Sequence, residues 1–188
     1  MKKTISVTTL GTAGLVTTGP LGHGVANIMG MAIAEAQLRT RFGAEMFDHH
    51  IFGMCGDGDL SEGLSHEAAS LAGHLGLGRL ICVYDDNHVS IDGPTELALS
   101  DDAGARFGAY GWNVENLGEA SEDLDALEAA LRRAMAVDDR PVVVRGQLAV
   151  PAVLDEAGAA DDPLVGCEPV ALEDLVSVES LITLVAVT

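Results

Sequence analysis

Two short polar groups in this sequence hold the oxygen atoms that a divalent cation prefers. The first is Gly56-Asp57-Gly58, and the second, Asp85-Asp86-Asn87, follows about thirty positions later. A carboxylate and an amide carbonyl are hard ligands, which suit Mg²⁺ or Ca²⁺ better than zinc. Mg²⁺ also leaves coordination positions for phosphate oxygens and water. Each group by itself is typical of a solvated turn, but the pair at this spacing favours a metal-bridged diphosphate site.

Apolar runs precede both polar groups and decide where they lie. Residues 51–55 and 80–84 are short apolar segments of the kind that form buried strands. Between them the spacing predicts a helix with one apolar face, formed by Leu64, Ala68, Leu71, Ala72 and Leu75. The carboxyl ends of parallel strands meet at one edge of a sheet. We therefore expect Asp57 and Asn87 to lie close enough to share a cation.

The rest of the chain continues this alternation of strands and helices. A helix is predicted from Val25 to Ala36, directly after the Gly-rich run 19–24. Another is predicted to begin near Ser121, with an apolar stripe of Leu124, Leu127, Leu131 and Met135, and residues 141–144 form a third strand. Alternating strands and helices predict an α/β fold, with a parallel sheet covered by helices on both faces.

Composition excludes several classes of partner. Ten basic and 29 acidic residues give a net charge of -19, which repels nucleic acid and anionic lipid. No segment has 18 consecutive apolar residues, so no membrane span is expected. An anionic ligand must then be held by a cation or by backbone N–H groups. The three cysteines lack metal-ligand spacing and are odd in number, which indicates buried thiols in a reducing cytoplasm.

Three stretches of the sequence resemble transketolase: TTGPLGHGVANIMGMAIAEAQL, GDGDLSEGLSHEAASLAGHLGLGRLICVYDDNHVSIDG and ARFGAYGW. The resemblance covers about residues 12 to 145, and its Gly-Asp-Gly group followed by a distant Asn is similar to the diphosphate motif of thiamine diphosphate enzymes. It implies the thiamine diphosphate-binding fold and a thiamine diphosphate cofactor held through Mg²⁺ or Ca²⁺. It further implies ketol transfer between sugar phosphates in the pentose phosphate pathway.

The resemblance also implies which residues bind the metal and the diphosphate. Asp57 and Asn87 match the family's metal-binding side chains, and Asn87 also contacts the cofactor. The residue two beyond that asparagine supplies a backbone carbonyl to the metal, and here it is Val89. Gly58 matches a glycine that lies against the diphosphate.

Further positions are assigned by the same resemblance. Gly19, Pro20 and Leu21 match a segment that lines the cofactor. Glu62 matches a glutamate near the family's subunit interface, and it is the candidate catalytic residue. Several other polar or aromatic residues are interpreted as loop, packing or core residues without a chemical role, namely His23, His49, His50, His66, His74 and Trp112.

The resemblance ends before the chain does. We predict a thiamine diphosphate-binding domain over residues 1–146, lacking the family's usual N-terminal part, and an acidic tail of uncertain structure over 147–188. Within that tail, the apolar run Leu181–Val187 is a candidate edge strand. The family's glutamate that activates the cofactor belongs to a further, pyrimidine-binding domain. We therefore expect this chain alone to be inactive, and to need a homodimer partner or a complementing subunit.

Three alternatives remain open from the sequence. The reaction could be that of deoxyxylulose-phosphate synthase or of a pyruvate dehydrogenase component, which use the same cofactor. The chain could also be an inactive remnant that binds metal weakly. A dinucleotide-binding fold is disfavoured because no G-x-G-x-x-G follows either early strand.

Overall fold

The structure is a computed structural model that describes residues 2–6, 14–90, 93–118, 123–147, 167–171 and 183–187. The strands are β1 Lys2–Ser6, β2 Gly14–Thr18, β3 Ile51–Gly56, β4 Leu80–Asp85, β5 Val89–Ser90, β6 Gly93–Pro94, β7 Asn113–Gly118, β8 Val142–Gly146, β9 Cys167–Ala171 and β10 Thr183–Val187. The helices are α1 His23–Phe42, α2 Asp57–Leu60, α3 Gly63–Leu75, α4 Ala103–Ala109 and α5 Leu124–Met135, and a 3₁₀ turn spans Thr95–Leu97.

Six of these strands form one parallel sheet in the order β2-β10-β3-β4-β8-β7. The predicted strands before the two polar groups are neighbours, and Gly56 pairs with Asp85 at their carboxyl ends. A strand that the apolar pattern did not predict, β7, lies at one edge of the sheet. Its sequence, NVENLG, is polar because an edge strand is only partly buried. Two small sheets, β1 with β9 and β5 with β6, complete the described strands.

Both faces of the sheet are covered, as predicted. One core contains Cys55, Cys82 and Val143, which pack against α1, α3 and α4. The other contains alternate residues of the same strands, and α5 covers it through Ala130 and Ala134. Strands buried on both faces need apolar residues at nearly every position, which explains the unbroken apolar runs. The fold is therefore the α/β arrangement that the sequence predicted.

The apolar run near the C-terminus corrects one expectation. Thr183–Val187 does form a strand, but β10 lies between β2 and β3 and is not an edge strand. The apolar run indicates burial of the strand, but it does not show whether the strand has one neighbour or two in the sheet. Apart from Gln147, β9 and β10, the predicted tail lies outside the described residues, so the boundary at residue 146 stays a prediction.

Two helices differ in detail from their predictions, α3 in its apolar face and α5 in its first residue. In α3 the alanines are buried, but Leu64, Leu71 and Leu75 are between 40% and 48% exposed. This helix packs through small residues, which brings its backbone too close to its neighbours for leucines to fit between them. The helix α5 begins at Leu124, and the Asp123 carboxylate accepts a hydrogen bond from Ala126 N at 2.9 Å.

Within the described ranges, no helix is long and apolar enough to cross a membrane.

Candidate functional site

A cleft of about 500 Å³ lies at the carboxyl ends of β3 and β4. It is where a parallel sheet places its ligands, because loops diverge there and leave a crevice. The sequence-predicted residues that line it are Leu21, Asp57, Gly58, Glu62, Asn87 and Val89. Chain segments far apart in sequence therefore meet around one space.

Asp57 is the first residue of α2 and only 5% exposed. Its Oδ1 accepts a hydrogen bond from the Tyr84 hydroxyl at 2.5 Å, and its Oδ2 accepts one from the backbone N–H of His88 at 2.9 Å. Among the described residues no basic side chain pairs with this carboxylate. A buried carboxylate with only neutral partners is costly unless a positive charge comes from elsewhere. A bound cation would supply that charge.

The loop after β4 turns the Asn87 side chain toward its own backbone. Asn87 Oδ1 accepts from Val89 N at 3.0 Å, and its Nδ2 donates to Asp85 Oδ2 at 2.9 Å. His88 has a φ of 61°, in the left-handed region that few residues other than glycine adopt. The His88 N–H donates to Asp57 Oδ2, so the loop that carries Asn87 is fastened directly to the Asp57 carboxylate.

Tyr84 stands between two carboxylates with a single hydroxyl proton. Its oxygen lies 2.5 Å from Asp57 Oδ1 and 2.9 Å from Asp86 Oδ1, so it can donate fully to only one of them. Burial and these two acidic neighbours raise the pKa of Tyr84 well above its usual value. Arg145 pairs with Asp86 at 2.5 Å and also contacts Asp102. Asp86 thus has a basic partner, whereas Asp57 has none among the described residues.

Comparison with known proteins identifies the family. A family model described as the transketolase thiamine diphosphate-binding domain matches residues 9–157. This chain belongs to the transketolase family. The match extends further than the resemblance described above, which covers about residues 12 to 145.

Transketolases from distant organisms are similar to this chain over the same part. The Nostoc sp. enzyme is 51% identical over 138 residues, which are 71% of this chain and 21% of that enzyme. The chloroplastic transketolase of Solanum tuberosum is 49% identical, over 69% of this chain and 18% of its own length. This chain therefore spans about a fifth of the length of the curated relatives it matches.

Solved transketolase structures have the same fold over this region. The enzyme of Leishmania mexicana superposes with a TM-score of 0.67 at 43% identity, covering 70% of this chain and 20% of that one. A Pichia stipitis transketolase mutant described as a complex with xylulose-5-phosphate gives 0.65 at 45% identity, covering 68% and 19%. Both the thiamine diphosphate-binding domain and its fold are thus confirmed for this chain.

The cofactor-lining residues of this transketolase chain are only partly brought together. Leu21 lines the cleft, and a Cβ added to Gly58 would stand 3.4 Å from Leu21 Cδ1. The absence of a side chain at Gly58 therefore keeps a narrow space open against Leu21. Gly19 and Pro20 are exposed in the turn before α1. Their contact with the cofactor, like the ligand roles of Asp57, Asn87 and Val89, stays a prediction.

The arrangement fits a metal that relies on phosphate oxygens. Among the described residues there is no group of three or more His, Cys, Asp or Glu side chains that could hold an ion. The predicted set has one carboxylate, one amide and one backbone carbonyl, all hard oxygen donors. Such a set leaves several coordination positions for a diphosphate, which matches the chemistry of Mg²⁺ in phosphate sites.

Glu62 lies just before α3, and it is exposed and lines the cleft. Its predicted catalytic role stays a prediction. Two of the residues interpreted as structural have clear packing contacts. The Trp112 indole is buried and donates to Ala69 O at 2.8 Å, and the His66 ring packs between Tyr110 and Arg106.

Sequence reasoning missed Asp59, which is 4% exposed and joins two loops of the site. Its Oδ1 accepts from Gly22 N at 2.9 Å and its Oδ2 from Gly56 N at 3.1 Å. One signal could have found half of this arrangement. An acidic residue at the third position of a helix often reaches back to the N-cap N–H, and Asp59 does so with Gly56. The contact with Gly22 has no local signal.

Proposed function

We propose that this chain forms the part of a transketolase that holds thiamine diphosphate through Mg²⁺ or Ca²⁺. The complete enzyme would transfer a two-carbon ketol unit between sugar phosphates. One observation carries the metal site. Asp57 is buried and lines the cleft, its described partners are neutral, and His88 N–H fastens its carboxylate to the loop of Asn87. The shared cleft of Asp57 and Asn87 supports a common cation.

Each residue of the site then has a defined task. Asp57 would neutralise the ion, while the Asn87 amide oxygen and the Val89 carbonyl would orient it. Gly58 would let the diphosphate approach the backbone. Thiamine diphosphate, when bound, supplies the carbanion chemistry, which the protein orients and tunes. Tyr84 would hold the Asp57 carboxylate in position through its hydroxyl, and Arg145 would pair with the neighbouring carboxylate of Asp86.

The activity requires groups beyond those of this chain's site. The relatives are transketolases, and this chain spans about a fifth of their length. We propose that a pyrimidine-binding domain, supplied by a homodimer partner or a complementing subunit, completes the cofactor site, with sugar phosphates as substrates. The pentose phosphate pathway and a cytoplasmic location remain predictions from the sequence.

Calorimetric titration of the chain with thiamine diphosphate tests the metal site. Binding should require Mg²⁺, and Asp57→Asn should abolish the metal-dependent part, because it removes the charge while keeping the shape. Asp123→Asn is a matched control, since Asp123 caps α5 away from the cleft. Equal binding without Mg²⁺, or unchanged binding by Asp57→Asn, would contradict the proposal.

A further inference from the structure

Asp59 is placed to control the width of the cofactor cleft. We infer that it is a positioning residue, whose carboxylate fixes the distance between the two loops that face the cofactor. This inference rests on the proposed function. Its Oδ1 is bound to Gly22 N–H and its Oδ2 to Gly56 N–H, at 2.9 and 3.1 Å. The Asp59 side chain therefore joins two segments that are distant in sequence, since Asp59 and Gly22 are 37 positions apart.

Each of the two bonded glycines is next to a residue of the site. Gly56 ends β3 and directly precedes Asp57. Gly22 follows Leu21 and directly precedes α1. The Leu21 side chain and Gly58 face each other across the narrow part of the cleft. Moving either glycine would therefore move one wall of the cleft relative to the other.

The contacts around Asp59 make this connection rigid. The Asp59 carbonyl accepts from Ser65 Oγ at 2.6 Å and from Glu62 N at 3.3 Å, so the start of α3 holds its backbone. Gly22 has a φ of 75°, and a Cβ there would stand 2.7 Å from Glu62 Cβ. The loop before α1 thus packs tightly against the start of α3, and Asp59 accepts the hydrogen bond from its Gly22 N–H.

A carboxylate suits this position better than any similar side chain. Both of its oxygens accept, so it satisfies two N–H donors without rotating. The amide of Asp59→Asn can serve only one of them, because its NH₂ group would face the other donor. Asp59→Ala satisfies neither and leaves two N–H groups to find new partners. The two variants should therefore loosen the loops to different degrees.

Amide hydrogen exchange tests the connection without any cofactor. Asp59→Ala should speed exchange at both Gly22 and Gly56, and Asp59→Asn at one of them at least. The control Asp123→Asn removes a capping carboxylate of α5 and should leave both glycines unchanged. Unaltered exchange at Gly22 and Gly56 in Asp59→Ala would overturn the inference.

Cofactor titration then separates a positioning role from a merely structural one. In the presence of Mg²⁺ and well below the melting temperature, both Asp59 variants should bind thiamine diphosphate about 10- to 100-fold more weakly, the loss typical of residues that orient ligands. Trp112→Phe, which removes a buried hydrogen bond away from the cleft, should lower the melting temperature and keep the affinity. Faster exchange with unchanged affinity would show that Asp59 only stabilises the fold.

The two experiments also distinguish this inference from the proposed function. If the unmodified chain does not bind thiamine diphosphate with Mg²⁺, the metal-site proposal fails for this chain. Exchange at Gly22 and Gly56 then decides alone whether Asp59 holds the two loops together.

Discussion

At the scale of individual residues, the site has several buried carboxylates and few basic partners for them among the described residues. Asp57 is buried, its described partners are a hydroxyl and a backbone N–H, and its neighbour Asp86 is the one that pairs with Arg145. The Tyr84 proton lies between the two carboxylates. A cation on the cleft side of Asp57 would reduce the repulsion between the Asp57 and Asp86 carboxylates. Like charges this close together repel strongly in a buried setting.

Tyr84→Phe should destabilise the chain by about 1–3 kcal/mol without metal, because Asp57 and Asp86 lose the proton between them. Added Mg²⁺ should recover part of this loss by neutralising Asp57. The measurement is urea denaturation with and without Mg²⁺. Tyr110→Phe is the control, as its hydroxyl lies 3.3 Å from His66 Nδ1, away from the cleft. An equal loss of stability at both Mg²⁺ concentrations would speak against a cation beside Asp57.

At the scale of elements, small residues allow α3 to lie close to its neighbours. Ser65, Ala68, Ala69 and Ala72 are buried on this helix. A Cβ added to Gly73 would stand 1.9 Å from the Tyr110 carbonyl oxygen, just beyond α4. This close contact holds α4 against α3, and it explains why the larger leucines of α3 lie at the surface.

Gly73→Ala should therefore cost about 1–3 kcal/mol of stability, the usual range for overpacking. Gly30→Ala is the matched control within α1, where an added Cβ meets nothing within 4 Å. It should stabilise the chain by about 0.5–1 kcal/mol, because alanine favours helix more than glycine. Urea midpoints of the two variants should shift in opposite directions. A neutral Gly73→Ala would mean that α3 and α4 are not packed this closely.

At the scale of the whole molecule, the cleft lies open at the carboxyl edge of the sheet. In the proposed function, the residues that line it would bind the metal and diphosphate end of the cofactor. Electrostatic help is weak where one face of a ligand remains in water. We therefore expect the described cleft to support binding of the cofactor without turnover.

The purified 188-residue chain should bind thiamine diphosphate weakly, only with Mg²⁺, and should not transfer ketol units. Calorimetry measures the first property, and a coupled assay with a ketose phosphate donor and an aldose phosphate acceptor measures the second. Addition of a pyrimidine-binding domain from a related transketolase is the complementing arm, and activity should appear only there. Robust turnover by the chain alone would show that its catalytic groups come from within these residues.

Local patterns in the sequence determined the fold class and the place of the site. Strands β3 and β4 are unbroken apolar runs because both faces of the sheet are covered, and the polar groups follow them directly. The meeting of Asp57 and Asn87 at one cleft could be predicted because both residues follow strand ends in one βαβ unit. The spacing of residues that are close in sequence carries this information, because it depends only on which residues are buried and on the direction of each strand.

Tertiary structure alone decided how distant segments meet. Strand β10 pairs with β3 across more than a hundred residues, and Asp59 of α2 accepts a hydrogen bond from Gly22 in the turn before α1. Leu71 of α3 is exposed, although its position in the helical repeat is the one expected of a buried residue. Periodicity shows which residues share a face but not which element covers that face, nor how closely. Those outcomes depend on the packing of the whole sheet and its helices, which no local stretch of sequence contains.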